Sequence, residues 1–324
     1  MNTTVGVLRG GPSKEHEVSI KTGHAIVTNL SRDDYTVRDI YIDRSGVWHM
    51  RGVPTTPERA LQSVDAVIIG LHGEYGEDGE VQKLLERYGI PYTGSDSFSS
   101  YVAMHKVMAK EKAKEAGLLT PKYRFIEDGS DIETVAAEIV RTFPQPVVVK
   151  PVKWGSSVGV SIISGYVPLV DAITALLEEG SGGVLVEELI KGTEATAGVV
   201  EGLRGEELYS LPVVEIVPAD AHSFFSYDAK YSGQTREVVP GNFSRPIADQ
   251  IMQQARTAHE ALGLRHYSRS DFIVSPKGIY YLETNTLPGM TEESLLPKSL
   301  AAVGVGFSDF LRHLVELALA GKKR

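Results

Sequence analysis

Two carboxylates and one amide near the carboxyl end of the chain have the types and spacing of a metal site. Asp271 begins the apolar run Asp-Phe-Ile-Val, Glu283 ends the run Ile-Tyr-Tyr-Leu-Glu, and Asn285 follows two residues later. Lys277-Gly278 between the runs is a turn signal, so the pattern predicts an antiparallel hairpin that brings these oxygens together. Glu283 and Asn285 are two apart and share one face of an extended strand. Such a set suits Mg²⁺, which completes its shell with water and phosphate, so we expect a phosphate-handling site on a sheet.

The composition excludes several classes of protein. The chain has 324 residues, of which 42% are hydrophobic, so it can bury a large core, and its length favours two or three domains. It has no cysteine, which excludes disulfides, thiolate catalysis and thiolate-bound zinc and fits a reducing cytoplasm. The net charge is −9 without a long basic run, which argues against nucleic-acid binding. The apolar runs are too short to span a bilayer and the start shows no signal peptide, so we expect a cytoplasmic protein.

The first part of the chain, 1–96, is predicted to form one domain. Strand patterns at 4–8, 35–42 and 65–71 alternate with helix patterns at 17–30 and 79–88, which predicts a parallel sheet covered by helices. Loops at the carboxyl ends of such strands make the binding crevice. Gly10-Gly11 and His72-Gly73 both follow strands, so we expect both to face the same cleft.

Two further domains are predicted, over 97–186 and 187–324. The central one opens with a single helix over 98–116, and it carries a loop rich in glycine and serine, 153–157, between two strands. A loop between two strands is the end of a hairpin, which can cover a binding site. It is not a Walker-type loop that begins a helix, since the motif G-x-x-x-x-G-K-[ST] is absent. In the last domain we expect one strand over 209–216 and a polar loop over 220–240 that acts as a lid.

Six short motifs, separated from one another in the sequence, lie along these predicted elements. The motifs are Gly10-Gly11-Pro-Ser13-Lys-Glu15, His72-Gly73-Glu-Tyr-Gly76-Glu-Asp-Gly79, Lys150-Pro-Val-Lys-Trp-Gly155-Ser156-Ser157-Val-Gly159, Tyr227-Asp-Ala-Lys230-Tyr231, Ser-Arg269-Ser-Asp271 and Glu283-Thr-Asn285-Thr-Leu-Pro-Gly289. With this set the chain resembles the ATP-grasp enzymes, and within them the D-alanine–D-alanine ligases, over nearly its whole length. The resemblance implies an α/β fold, α+β in the ATP-grasp part, of three domains. It has a Rossmann-like parallel sheet at the N-terminus and binds ATP between the central and C-terminal domains.

The resemblance implies a role for individual residues at the nucleotide. The residues that would bind ATP are Lys106, Lys150, Ser156, Ser157, Glu187, Leu189, Glu194 and Lys230. In this group the lysines and the serine loop would hold phosphates, Glu187 and Leu189 would contact adenine, and Glu194 would hold the ribose. The metal ligands would be Asp271, Glu283 and Asn285, holding two Mg²⁺ ions, with Mn²⁺ as a substitute. The chain departs from the usual family pattern at His105, Thr193 and Ala195.

A second group would bind the amino acids and act in catalysis. The implied catalytic residues are Glu15, Ser156, Arg269, Gly289 and Tyr231. The implied substrate-binding residues are Glu15, His72, Arg269, Gly289, Ser294 and Leu295. Glu15 would hold the first ammonium group and form hydrogen bonds toward Ser156 and Tyr231. Arg269 and the Gly289 N–H would stabilise the acyl phosphate and the tetrahedral intermediate, and Ser294 with the Leu295 N–H would hold the second carboxylate.

The implied activity is ATP-dependent joining of two D-alanines through an acyl phosphate, for peptidoglycan precursors, in a homodimer that binds no nucleic acid and no membrane. Tyr231 favours an amine as second substrate in this resemblance. The alternatives are a ligase that adds D-serine or D-lactate, or another ATP-grasp carboxylate–amine ligase. A non-catalytic nucleotide-binding regulator is an alternative of a different class.

Overall fold

The structure is a computed structural model that describes residues 3–31, 33–218 and 235–321. The N-terminal sheet has the order β4-β3-β2-β1-β5, and β1, β2 and β5 are parallel, as predicted. The edge strands β3 and β4 are antiparallel and were not predicted. The elements of this part are β1 (Thr3–Gly10), α1 (His16–Asn29), β2 (Tyr35–Ile42), β3 (Trp48–Met50), β4 (Val53–Thr55), α2 (Pro57–Leu61), β5 (Ala66–Ile69) and α3 (Glu80–Arg87).

The central part is an antiparallel sheet of order β6-β9-β7-β8 with helices on it. Its elements are α4 (Ser97–Met104), α5 (Lys106–Glu115), β6 (Tyr123–Ile126), α6 (Ile132–Thr142), β7 (Val147–Pro151), β8 (Ser161–Ile163), α7 (Tyr166–Glu178) and β9 (Val184–Glu188). Since β7 and β8 pair directly, the loop rich in glycine and serine lies at the end of a hairpin, as predicted.

The prediction of one helix over 98–116 is wrong, because the chain breaks at His105. The backbone of His105 is extended, with φ −82° and ψ 96°, and its ring nitrogen Nδ1 accepts from the Met108 N–H at 3.4 Å. A polar side chain that satisfies a free backbone donor favours a helix start over a helix interior. Lys106 is therefore the first residue of a new helix, at the edge of the cleft.

The C-terminal part is a sheet of order β13-β12-β10-β14-β15, with β11 paired to β10. Its elements are β10 (Thr193–Glu201), β11 (Leu208–Ser210), β12 (Val214–Pro218), β13 (Thr235–Val238), α8 (Arg245–Ala261), β14 (Tyr267–Ser275), β15 (Gly278–Asn285), α9 (Leu295–Ala302) and α10 (Phe307–Ala320). The single strand predicted over 209–216 is two strands, with Pro212 between them, because proline cannot donate to a ladder.

The predicted loop over 220–240 is wrong at its end, where β13 pairs antiparallel with β12. The rest of that loop, with Lys230 and Tyr231, lies outside the described residues. The C-terminal helix α10 returns to the first sheet, where Phe310 and Leu311 share a core with Val7 and Leu8. Among the described residues, none of the helices has both the length and the apolar character needed to cross a bilayer.

Candidate active site

The β14–β15 hairpin brings the expected metal ligands together. Asp271 pairs with Glu283 and Arg269 pairs with Asn285 across the two strands. The register shifts between Asp271 and Phe272, because Phe272 pairs with Tyr281 and Leu282 is the extra residue of a β-bulge. Tyr281 packs in the core beneath α8, whereas Glu283, two residues on, lines the cavity. The bulge therefore turns Glu283 to the cavity face, beside Asp271.

The carboxylates of this hairpin are held by cations of the chain itself. Arg269 donates two hydrogen bonds to Asp271, at 2.9 Å from Nε and 2.8 Å from Nη2. Burial alone would lower the pKa of Arg269, but the contact with Asp271 outweighs it, so the pKa of the guanidinium is raised. Asn285 Nδ2 donates to Asp271 Oδ2 at 3.2 Å, and Lys106 Nζ lies 3.2 Å from Glu283 Oε2. Two carboxylates and an amide oxygen on one face are hard donors that fit Mg²⁺.

The loop after β7 has the backbone of an anion-binding turn. Ser156 and Ser157 both have positive φ, 50° and 58°, a strained conformation for residues with a side chain that is concentrated at ligand sites. The Trp154 carbonyl accepts from Lys106 Nζ at 2.7 Å, so a cationic side chain lies at the start of the loop. Ser156 donates from Oγ to Glu15 Oε1, which joins this loop to the N-terminal domain.

A buried charge cluster lies at the end of the cavity where the sequence predicts nucleotide binding, called the nucleotide end below. Glu187 is 2% exposed, and its two oxygens lie 2.8 Å from Lys110 Nζ and 2.8 Å from Lys150 Nζ. Burial would raise the pKa of Glu187, but the two lysines outweigh it and lower that pKa. Burial lowers the pKa of Lys110 to about 8 despite the attraction of Glu187. Lys110 was not predicted from the sequence, although its spacing of four from Lys106 places both on one helix face.

The loops after β1 and β5 together form the end of the cavity where amino-acid binding is predicted, called the amino-acid end below. Glu15 is 7% exposed, and a Cβ at Gly73 would lie 2.7 Å from its Oε2, so the two loops are in contact. His72 lies beside them, 4% exposed, and both of its ring nitrogens contact protein atoms, Thr22 Oγ1 at 2.7 Å and the Leu287 carbonyl at 2.9 Å. Burial lowers the pKa of His72, so its ring is neutral.

The loop between β15 and α9 forms the far wall of this end. Ser294 Oγ accepts from the Thr291 N–H at 3.1 Å, and a Cβ at Gly289 would lie only 2.8 Å from that oxygen. Leu295 is the first residue of α9, whose free N–H groups can bind a carboxylate. A side chain at position 289 would therefore displace the Ser294 hydroxyl group.

One cavity of about 1100 Å³ collects every predicted site residue that the structure describes. These residues are Glu15, His72, Lys106, Lys150, Ser156, Ser157, Glu187, Leu189, Glu194, Arg269, Asp271, Glu283, Asn285, Gly289, Ser294 and Leu295. The volume has room for a nucleotide together with small substrates. Further lining residues were not predicted, among them Thr196, which contacts Asp271, and Glu77, which accepts from the Leu287 N–H. Thr196 donates from Oγ1 to Asp271 Oδ1 at 2.7 Å, and none of the sequence motifs includes it.

Comparison with known proteins matches nearly the whole chain. The family model described as D-ala D-ala ligase C-terminus matches residues 113–316, and the one described as D-ala D-ala ligase N-terminus matches residues 4–59 and 51–95. A D-alanine–D-alanine ligase from Syntrophobacter fumaroxidans is 40% identical over 326 residues, with 98% of this chain and 97% of that one covered.

Solved structures agree with these matches. The VanG D-Ala:D-Ser ligase from Enterococcus faecalis has a TM-score of 0.84 at 30% identity, with 98% of this chain and 100% of that chain covered. The D-alanine–D-alanine ligase from Bacillus anthracis complexed with ATP has a TM-score of 0.81 at 31% identity, with 99% of each chain covered.

Proposed function

The chain belongs to the D-alanine–D-alanine ligase family, and we propose that it joins two D-alanines in the cavity described above, with ATP as the phosphoryl donor. The fold class and the family predicted from the sequence are confirmed. In the reaction, the γ-phosphoryl group of ATP passes to the carboxylate of the first D-alanine and ADP is released. The amine of the second D-alanine attacks the acyl phosphate, and phosphate leaves as the peptide bond forms. The product is D-alanyl-D-alanine, a precursor of peptidoglycan.

The observation that carries the assignment of this cavity is the hydrogen bond from Ser156 to Glu15. It joins the turn suited to phosphate with the carboxylate suited to an ammonium group, from different domains. A phosphoryl group held at the Ser156 turn would therefore lie close to an amino acid held at Glu15. Phosphoryl transfer depends mainly on such positioning and on charge neutralisation.

At the nucleotide, Lys106, Lys150 and the loop with Ser156 and Ser157 would bind phosphates. The residues proposed for the adenosine part are Glu187, Leu189 and Glu194, and Lys230 is a further proposed contact. A carboxylate has about four acceptor positions, so Glu187 can bind two lysines and still accept from an adenine amino group.

Asp271, Glu283 and Asn285 would hold Mg²⁺, whose chemistry there is to neutralise and orient phosphate oxygens. In this structure Lys106 forms an ion pair with Glu283, and Arg269 forms one with Asp271. These ion pairs support the proposal that the carboxylates of the hairpin bind positive charge. The number of ions, two, remains a prediction.

For the amino acids, Glu15 would accept from the first ammonium group, and Arg269 with the Gly289 N–H would stabilise the negative charge of the acyl group under attack. Ser294 and the Leu295 N–H would hold the second carboxylate. The proposed parts of His72, next to the first carboxylate, and of Tyr231, next to Glu15 and Ser156, remain predictions. The neutral ring of His72 can act there as a hydrogen-bonding group and not as a cation.

The second substrate is the point on which related ligases differ. VanG is named a D-Ala:D-Ser ligase, whereas the relative from Syntrophobacter is named a D-alanine–D-alanine ligase, and the latter has the higher identity, 40% against 30%. We therefore favour D-alanine over D-serine or D-lactate. Because ATP is a substrate, we expect the reaction in the cytoplasm, and the homodimer remains a prediction.

The test is phosphate release with ATP, Mg²⁺ and D-alanine, followed by D-serine or D-lactate added in equal amount, with products identified by mass. L-Alanine serves as the matched control substrate. We expect release that depends on D-alanine and the dipeptide as the main product in the mixtures. A mixed product in excess would assign the protein to the D-serine or D-lactate ligases. ATP binding without release would favour the non-catalytic regulator.

A further inference from the structure

Leu287 is bound through both of its backbone groups by side chains of the N-terminal domain. Its N–H donates to Glu77 Oε1 at 3.1 Å, and its carbonyl accepts from His72 Nδ1 at 2.9 Å. The three residues are 2%, 7% and 4% exposed, respectively. Leu287 lies two residues before Gly289, on the loop that follows the metal hairpin.

The second oxygen of Glu77 points back to the amino-acid end. Glu77 Oε2 accepts from the Gly73 N–H at 2.9 Å. Gly73 in turn packs on Glu15, because a Cβ on this glycine would lie 2.7 Å from Glu15 Oε2. A single buried carboxyl group therefore connects the loop beneath Glu15 with the loop that carries Gly289.

His72 has its tautomer fixed by the same arrangement. A carbonyl oxygen only accepts, so the proton of the ring must be on Nδ1, which faces Leu287. The other nitrogen, Nε2, accepts from the Thr22 hydroxyl at 2.7 Å, and Thr22 lies on α1. His72 is thus oriented by one domain and donates to another.

We propose that Glu77 and His72 are positioning residues that hold the Leu287–Gly289 segment at a fixed place relative to Glu15. This inference rests on the proposed function, in which Glu15 binds the first amino acid and the Gly289 N–H stabilises its reacting acyl group. Pro288 lies between Leu287 and Gly289, and its ring restricts φ, so a shift at Leu287 is passed on to the Gly289 N–H. A donor acts on developing charge only when it is correctly placed, and an error of about 1 Å lowers rates by about 10²-fold.

The first test is Glu77→Gln. The amide oxygen can accept from only one of the two N–H groups, and the amide nitrogen then opposes the other donor. The matched control is Glu74→Gln, the same substitution at an exposed position in the same loop. Burial, together with the charge of Glu15, raises the pKa of Glu77 to about 8, so the assays are run at pH 9, where its carboxylate form is present.

We expect Glu77→Gln to lower kcat by about ten- to 100-fold, from misplacement of the Gly289 donor. The KM for ATP should stay within about twofold of the value for Glu74→Gln, since the nucleotide end is untouched. Rates are normalised to the stoichiometry of ATP binding, so that unfolded protein does not count as slow enzyme. Equal kcat for the two variants would overturn the proposal.

A second pair of variants separates the two nitrogens of His72. In His72→Asn the amide nitrogen can occupy the place of Nδ1 and still donate to Leu287, whereas in His72→Gln the amide reaches the place of Nε2 instead. The proposal requires His72→Asn to lose less kcat than His72→Gln. The opposite order would mean that Nε2 is the important atom and would overturn the assignment for His72. If the parent protein makes no dipeptide, the proposed function fails. If the parent protein makes the dipeptide but the Glu77 and His72 variants both give the contradicting result, the proposed function stands and only this inference is wrong.

Discussion

Replacing Glu187 by glutamine tests the buried charge cluster at the nucleotide end of the cavity. The substitution keeps the size of the side chain and removes the negative charge that lies 2.8 Å from each of Lys110 and Lys150. These lysines are 0% and 7% exposed, so water does not replace the lost partner. Removing one member of a buried ion pair costs about 3–5 kcal/mol of stability.

The state of Lys110 places the expected loss near the lower end of that range, at about 3 kcal/mol. The pKa of Lys110 is already lowered to about 8 by burial, so without Glu187 this lysine can lose its proton close to neutral pH and avoid the full penalty. A lysine whose folded pKa lies below its unfolded value binds fewer protons when folded. The stability of the variant should therefore rise relative to the parent only up to about pH 8, the folded pKa of Lys110 in the parent, because above that pH both proteins gain stability alike.

The assay is denaturant unfolding at pH 7 and pH 9, together with the KM for ATP. The matched control is Glu127→Gln, at an exposed position just after β6, the strand that pairs with β9. Adding Lys110→Met to Glu187→Gln removes one of the unpaired ammonium groups, so the double variant should be more stable than Glu187→Gln alone by about 1 kcal/mol or more. We also expect a KM for ATP about tenfold higher, because a hydrogen bond to a charged group contributes about 1.5–3 kcal/mol.

If the free energies of unfolding of Glu187→Gln and Glu127→Gln differ by less than about 0.5 kcal/mol, the size of an ordinary surface substitution, Glu187 does not stabilise the two buried lysines. A double variant that is less stable than Glu187→Gln would equally contradict the expected role of Glu187, since the lysine would then be stabilising without its partner.

Three further outcomes are expected. Asp271→Ala and Glu283→Ala should each lower the rate of dipeptide formation by about 10³-fold or more, because metal-assisted charge stabilisation contributes several kcal/mol. Circular dichroism should show that both variants keep the fold. Full activity in either variant would exclude the metal assignment. Since burial and Glu15 raise the pKa of Glu77 to about 8, its neutral form is favoured in the fold, so the parent should lose stability relative to Glu77→Gln between about pH 5 and pH 8. Denaturant unfolding across that range should show a difference of a few kcal/mol, at about 1.4 kcal/mol per pKa unit, and a flat difference would contradict the raised pKa. Gly155→Ala would place a Cβ 2.7 Å from Glu15 Oε2. We therefore expect the KM for D-alanine to rise at least about tenfold, with a melting temperature within a few degrees of that of the parent. An unchanged KM would show that the two loops can move apart without affecting substrate binding.

Local patterns in the sequence were sufficient to predict the β14–β15 hairpin and most helices and strands. The spacing of Asp271, Glu283 and Asn285 around a turn fixes which oxygens meet, because alternation along a strand and pairing across a hairpin are both local properties. The parallel strands of the first sheet followed in the same way from alternation of strand and helix patterns. The predicted element bounds were wrong where a polar side chain or a proline interrupts a helix or strand, as at His105 and Pro212.

The bulge at Leu282 was not visible in the sequence, although it decides which face Glu283 takes. A regular strand would put Glu283 on the same face as Tyr281, which is buried in the core. The extra residue allows the aromatic side chain to pack below the sheet while the carboxylate faces the cavity. Nothing in the run Ile-Tyr-Tyr-Leu-Glu distinguishes this arrangement from a regular strand, since the bulge depends on pairing with β14.

The motifs were enough to identify the family and many of the residues that line the cavity, because each motif is short and its residue types reflect the chemistry. Other contacts between distant segments could be known only from the folded structure. Leu287 contacts Glu77 across 210 positions, whereas the contact of Ser156 with Glu15 across 141 positions was already implied by the family resemblance. Lys110 also reads as a surface lysine until β9 brings Glu187 beneath it. Contacts between distant segments depend on how the sheets pack against one another, and burial then sets the charge state of the groups that meet.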